Sequence, residues 1–140
     1  MVRILLKSFF IINALPNTLI GLLLGALGII SGGSWQVKRG CIEFHGGLVT
    51  KFLKNIPPFS PKRGMAAMTW GHVIIGQDPK MLDRARDHEH IHVRQYEVLG
   101  MLFVPLYVGC SILLWLGRRD PYLDNPLEQE AYGKIDRQGK

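Results

Sequence analysis

Asp87-His88-Glu89-His90-Ile91-His92-Val93-Arg94-Gln95-Tyr96 is the stretch on which the reading of this chain turns, because it holds the spacing H-E-x-x-H at His88, Glu89 and His92. On a helix, residues four apart stand one turn above each other on the same face. Two imidazoles so placed can converge on one metal ion, with the glutamate beside them. Zinc hydrolysis needs that arrangement: two neutral nitrogen ligands, a carboxylate to take a proton from water, and an open coordination position. A histidine-rich helix face with no metal would carry the same letters, so the flanking residues have to decide.

Those residues predict a helix. Asp78 followed by Pro79 reads as an N-cap and a first-turn proline, and Gly100 as the stop. Met81, Ala85, His88, His92, Gln95 and Leu99 follow the 3,4 spacing of one face, the side expected to meet the protein. A solvated histidine pair would sit instead among Arg84, Arg86, Arg94 and Glu97. His90 points away from the pair and reads as a surface or membrane-interface residue.

At 140 residues the chain makes one domain with one modest core. A net charge of +6 suits either nucleic acid or an anionic membrane surface. The membrane is favoured: the basic residues are scattered, no nucleic-acid motif is present, and two apolar stretches stand out. Cys41 and Cys110 are far apart with no C-x-x-C pattern, and read as buried free thiols.

The first apolar stretch, residues 9–30, has the length of a transmembrane helix but contains Asn13, Pro16 and Asn17. With no convincing cleavage site, it reads as an uncleaved anchor rather than a signal peptide. The alternative uses Asn17 as a cap and gives two short re-entrant helices. Gly21, Gly25 and Gly28 form a smooth stripe, suited to close packing against another membrane helix or simply reflecting membrane composition. Strands are expected at 35–39, 41–45 and 48–52, joined by tight turns at Gly40 and Gly46-Gly47, with His45 a turn residue. Pro57-Pro58, Pro61 and Gly64 mark an irregular connection among Lys51, Lys54, Lys62 and Arg63, a basic cluster that could meet lipid phosphates. Residues 65–76 return to strand character, clearest from Thr69 to Ile75. That strand could border the metal cleft and pair with an extended peptide, with His72 a possible donor to substrate.

The second apolar stretch, residues 99–116, sets a constraint. If residues on both sides of it share one metal, they must meet on one side of the bilayer, whereas a straight span would part them by about 30 Å. Either it folds back at Pro105, or it packs against the N-terminal segment, or no metal unites the two sides. Beyond it, Asn125-Pro126 reads as the cap and first residue of a last helix. Glu128 fits a capping-box glutamate as well as a third metal ligand, and Glu130 is the competing carboxylate.

His88-Glu89-x-x-His92 followed by Glu128-Gln129-Glu130-Ala131 on a second helix resembles the gluzincin type of zinc metallopeptidase. The stretch from Trp70-Gly71-His72 to Ala131 is also similar to small uncharacterised bacterial proteins of the same arrangement. The resemblance implies Zn2+ held by His88, His92 and Glu128, with Glu89 as general base, and covers roughly residues 65–132. It departs from several such families at Tyr132, where they place an aspartate that orients a zinc histidine. The implied fold is α+β and zincin-like: a small sheet, the motif helix, a terminal glutamate helix and two membrane-associated apolar helices. Residues 1–33 would be a membrane anchor or re-entrant segment, and 34–140 the zincin-like domain.

The expected function is a membrane-associated zinc-dependent metallopeptidase acting on a peptide or protein substrate, with membrane lipids as partners and no nucleic acid. His72, Arg94 and Tyr132 are candidate oxyanion donors. The rivals are a non-catalytic zinc-binding protein and a metal-free membrane interaction protein. The resemblance implies a bacterial inner membrane, and Lys38, Arg39, Lys51, Lys54, Lys62 and Arg63, which outnumber Arg3 and Lys7, favour a cytoplasmic globular part.

Overall fold

The structure is a computed structural model that describes residues 2–56 and 64–138. Helix α1 (Val2–Ile30) is followed by strands β1 (Ser34–Lys38) and β2 (Cys41–His45) and helix α2 (Gly47–Asn55). Strands β3 (Ala67–Trp70) and β4 (Val73–Gly76) precede helix α3 (Pro79–Leu99); a 3-10 turn (Gly100–Leu102), α4 (Phe103–Leu116) and α5 (Pro126–Gln138) complete the chain. The fold is mixed α+β. Its four strands lie in the order β1-β2-β4-β3, antiparallel except for β2 beside β4.

Strand alternation divides the sheet into two faces. Ile42, Phe44, Val73, Ile75 and Met68 pack against α1 and α2, while Cys41, Ile74 and Ala67 meet Leu82 and Val93 of α3. Cys41 is a buried thiol, its pKa pushed up to about 11 by that burial, whereas Cys110 is only half-buried.

Three local expectations need correction. Residues 48–52 are helical, not a strand: the buried Val49 and Leu53 stand four apart, one turn of a helix. Gly46 and Gly47, at φ 87° and 57°, turn the chain out of β2 to begin that helix. Residues 65–76 form a hairpin rather than one strand. Trp70 pairs with Val73 across a two-residue loop whose first residue, Gly71, takes the positive φ of 62° that such a turn requires. His45 is the last residue of β2, paired with Ser34, and not a turn residue.

Helix α1 runs unbroken through Pro16 and Asn17. Its polar residues are explained by α3. Asn13 Nδ2 donates to the carbonyls of Glu97 (2.9 Å) and Val98 (3.1 Å), and Asn17 Nδ2 to that of Gly100 (3.1 Å). The Glu97 and Val98 carbonyls lie in the last turn of α3, where helix carbonyls run out of intrahelical donors, while the Gly100 carbonyl also accepts from Phe103 N in the 3-10 turn. The glycine stripe meets the chain's own sheet and α2 rather than another membrane helix. A Cβ at Gly21 would stand 2.7 Å from Val73 Cβ, one at Gly28 2.7 Å from Val49 Cγ2, and one at Gly25 inside the Phe44 ring.

Two helical stretches, Leu6–Ile30 and Pro79–Leu116, are long and apolar enough to cross a membrane by length and composition. Large apolar side chains stand exposed on both, among them Leu23, Leu27 and Ile30 on α1 and Leu113, Trp115 and Leu116 on α4. Of the basic cluster, Lys51 and Lys54 lie on α2, while Pro57-Pro58, Pro61, Lys62 and Arg63 are outside the described residues.

Candidate metal centre

Helix α3 begins as its sequence predicts. The Asp78 carboxylate accepts from Met81 N at 2.9 Å, Pro79 opens the first turn, and Gly100 ends the helix at φ 56°. His88, His92 and Gln95 are buried on the expected face. His90 lies about half a turn away and is half-buried, with Nε2 enclosed and without a partner among the described residues.

The route from α3 to Glu128 answers the constraint set by the apolar stretch. Helix α4 has 14 residues, about 21 Å at 1.5 Å per residue, short of a bilayer core. Pro105 sits in its first turn, and the chain reverses after Leu116 rather than at Pro105. The returning segment is pinned along α4: Ser111 Oγ donates to Pro121 O (2.8 Å), and Asn125 Nδ2 donates to Tyr107 O (3.1 Å) and Ser111 Oγ (2.9 Å). Asn125 also caps α5, its Oδ1 accepting from Leu127 N at 3.0 Å. The Asn125 N–H goes to Tyr122 O, so no capping box forms and the Glu128 side chain is free to turn inward.

There it meets the histidines. His88 Nε2 lies 3.0 Å from Glu128 Oε2, His92 Nε2 lies 3.4 Å from Glu128 Oε1, and the two Nε2 atoms are 3.0 Å apart. All three residues are buried and form a group that could hold a metal ion. Four-coordinate zinc with ligands at about 2.0–2.1 Å would place its donors about 3.3 Å apart, so these spacings fit. Among the described residues the buried Glu128 Oε2 atom has no hydrogen-bond partner, which also suits a cation at this point.

Hydrogen bonds around the group prepare the donors. Gln95 Nε2 donates to Leu127 O (3.0 Å) and Glu130 Oε2 (2.9 Å), which orients the amide so that its Oε1 faces His92 Nδ1 at 2.8 Å. His92 Nδ1 must then carry a proton, so that in the neutral ring the lone pair lies on Nε2. Glu130 is thus no rival ligand. It holds Gln95, and the neighbouring Lys134 with the Gln95 amide keeps its carboxyl below the ordinary range.

Tyr107 Oη donates to Glu128 Oε1 at 2.8 Å. Burial alone would raise the Glu128 carboxyl, but the His88 and His92 imidazoles facing it and the bond from Tyr107 outweigh that burial and hold the group at about 2. Tyr132 stacks its ring on His88, centroids 4.5 Å apart, and points its hydroxyl at Tyr122 Oη (3.2 Å). Tyr132 thus does not take the part of the histidine-orienting aspartate, and among the described residues His88 Nδ1 has no partner.

Glu89 is buried and lines the same cavity as His88 and His92. Its Oε2 accepts from Thr69 Oγ1 of β3 at 2.7 Å. His72 does not reach this cavity: it sits in the β3–β4 loop with Nε2 3.0 Å from Glu97 Oε1. Arg94 is exposed and does not line it either. The phenols that do are Tyr96, Tyr107 and Tyr122. Thr69, Gln95, Tyr107 and Tyr122 were missed as site residues; only Gln95 carried a signal, its place on the histidine face. Comparison of the chain with protein-family models, with curated proteins and with solved structures gives no significant match.

Proposed function

We propose that this chain is a membrane-associated zinc metallopeptidase of the gluzincin, zincin-like type, with His88, His92 and Glu128 holding the ion and Glu89 as general base. The observation that carries the reading is the convergence of two imidazole nitrogens and one carboxylate at 3.0–3.4 Å, beside a separate buried carboxylate in the same cavity. Two neutral nitrogens and one anionic oxygen form the donor set of catalytic zinc sites, in which the fourth position is left for water or substrate. Zinc, when bound, supplies Lewis-acid polarisation and makes water acidic enough to deprotonate near neutral pH.

The chain's own residues do the rest. Glu89 accepts the proton of the attacking water and returns it to the leaving amine. Thr69 holds one Glu89 oxygen, so the carboxylate keeps one orientation through that exchange. Among the described residues β3 pairs only with β4, so its outer edge can receive an extended peptide backbone. Tyr122 is the candidate donor to the developing oxyanion, in place of His72 or Arg94.

Membrane association rests on the exposed apolar faces of α1 and α4. The basic residues Lys38, Arg39, Lys51 and Lys54 favour a cytoplasmic globular part; protease protection in sealed inner-membrane vesicles tests that sidedness. For the chemistry, metal analysis of detergent-purified protein should find about one zinc per chain, and Glu89→Gln should keep the zinc and lose peptide hydrolysis. Zinc content unchanged in His88→Ala/His92→Ala removes the site. Hydrolysis that survives Glu89→Gln removes the mechanism.

A further inference from the structure

We propose that the cavity beside the three donors takes one large apolar side chain of its peptide substrate, and that this side chain arrives along the outer face of α4. The proposal rests on the metallopeptidase reading and names the substrate class for that site. It starts from the walls. The cavity has a volume of about 190 Å3. Thr69, His88, Glu89 and His92 form its polar corner, while Met68 and Trp70 of β3 face Phe103, Val104, Tyr107 and Val108 of α4. Among the described residues, no lysine or arginine lines it.

Size and polarity together define the occupant. An apolar cavity of about 150 Å3 stays dry and accepts a benzene ring, whereas sites for drug-sized molecules start near about 300 Å3. The space suits the side chain of Phe, Leu or Met. A Lys, Asp or Glu side chain would lose its hydration there and, among the described residues, find no opposite charge apart from the catalytic groups themselves.

The same walls show the way in. Val108 lines the cavity and is also 39% exposed, and Ile112, one turn further on the same face, is 41% exposed. Apolar surface therefore runs from the cavity to the outside of α4 through Val108. In a bilayer, that path joins the chamber to the acyl chains, so a peptide segment already partitioned into lipid reaches the cavity without crossing water.

Binding can be measured apart from turnover. Zinc-loaded Glu89→Gln protein in detergent micelles, carrying Trp35→Phe and Trp115→Phe, leaves Trp70 as the only tryptophan, on the cavity wall. It is titrated with end-blocked hexapeptides identical but for one central residue: Phe, Leu, Asp or Lys. The Phe and Leu peptides should bind at least tenfold more tightly than the Asp and Lys peptides. Val104→Phe, which narrows the chamber, should erase the difference; Val108→Phe makes the same test at the rim if the first variant does not fold. Equal affinity for all four peptides, or no response of Trp70 to any, overturns the proposal. Incubating the same peptides with the Glu89-bearing protein separates the two claims. Selective binding without any cleavage leaves the apolar chamber standing and removes the peptidase reading, whereas cleavage indifferent to the central residue does the reverse.

Discussion

Glu43 and Glu128 are both buried carboxylates, 0% and 2% exposed, and the chain treats them in opposite ways. Glu43, on the α3 face of the sheet, is fully answered: Arg86 Nε and Nη2 donate to its two oxygens at 2.7 and 2.9 Å, and Gln36 Nε2 adds a bond of 2.7 Å. A guanidinium is a permanent cation with a fork matched to a carboxylate, so nothing further is needed there. Glu128 faces two imidazoles, and among the described residues one of its oxygens has no hydrogen bond. One site is closed by the protein itself; the other is a set of donors turned towards a common point. Burial of a carboxylate therefore does not identify a functional site. The partners around it do.

The largest effect should come from opening the closed site. Arg86→Ala leaves Glu43 buried and unpaired, which costs about 3–5 kcal/mol; chemical denaturation should show that loss, while the folded fraction still binds one zinc. Equal zinc loss in this variant would mean that the two sites are not independent. Next comes removal of the metal. Chelation should lower the melting temperature, by the equivalent of about 4 kcal/mol where free zinc had stood at a thousand times its dissociation constant. His88→Ala/His92→Ala should show no such response to chelator.

The metal-free protein should also reveal Glu128 through acid. Its carboxyl is held at about 2, below its ordinary value, so the stability it contributes is present above the unfolded carboxylate range and is lost as pH falls through about 2. Acid unfolding curves of chelated protein should flatten over that window in Glu128→Gln, while Glu43 is left intact as an internal control. A smaller effect is expected from Gln95→Leu, which frees the His92 tautomer and should weaken zinc binding about 10- to 100-fold by competition with a chromophoric chelator. The smallest is Asn13→Leu. It removes the bonds from α1 to the last carbonyls of α3, a loss of about 1 kcal/mol, with zinc affinity unchanged.

What could be read from the residues follows the range of the forces involved. Capping is a contact between near neighbours, so Asp78 and Asn125 reveal their helices in one dimension. The i, i+4 placement of His88 and His92 is a property of helix geometry alone. Residues 48–52 were misread because five residues with apolar ends satisfy a period of 2 and a period of 3.6 almost equally. The packing of Val49 and Leu53 together decides for the helix. The W-G-H-V hairpin was legible in principle, since a glycine opening a two-residue loop between strand residues is a turn signal, but the apolar run around it masked the reversal.

By itself, then, the chain's order of residues determined the motif helix, its caps, the shared face of the two histidines and the start of the last helix, because each depends on atoms a few bonds or one turn apart. The tertiary structure alone decided which glutamate joins them. Glu128 and Glu130 are two residues apart and point about 200° from each other on α5, so the choice depends on how α5 is rotated against α3. That rotation is set by the Asn125–Ser111–Pro121 bonds and by Gln95 taking Glu130 and Leu127. The same holds for the glycine stripe of α1: a smooth face declares that something lies close, and only packing reveals that the neighbours are Val73, Phe44 and Val49.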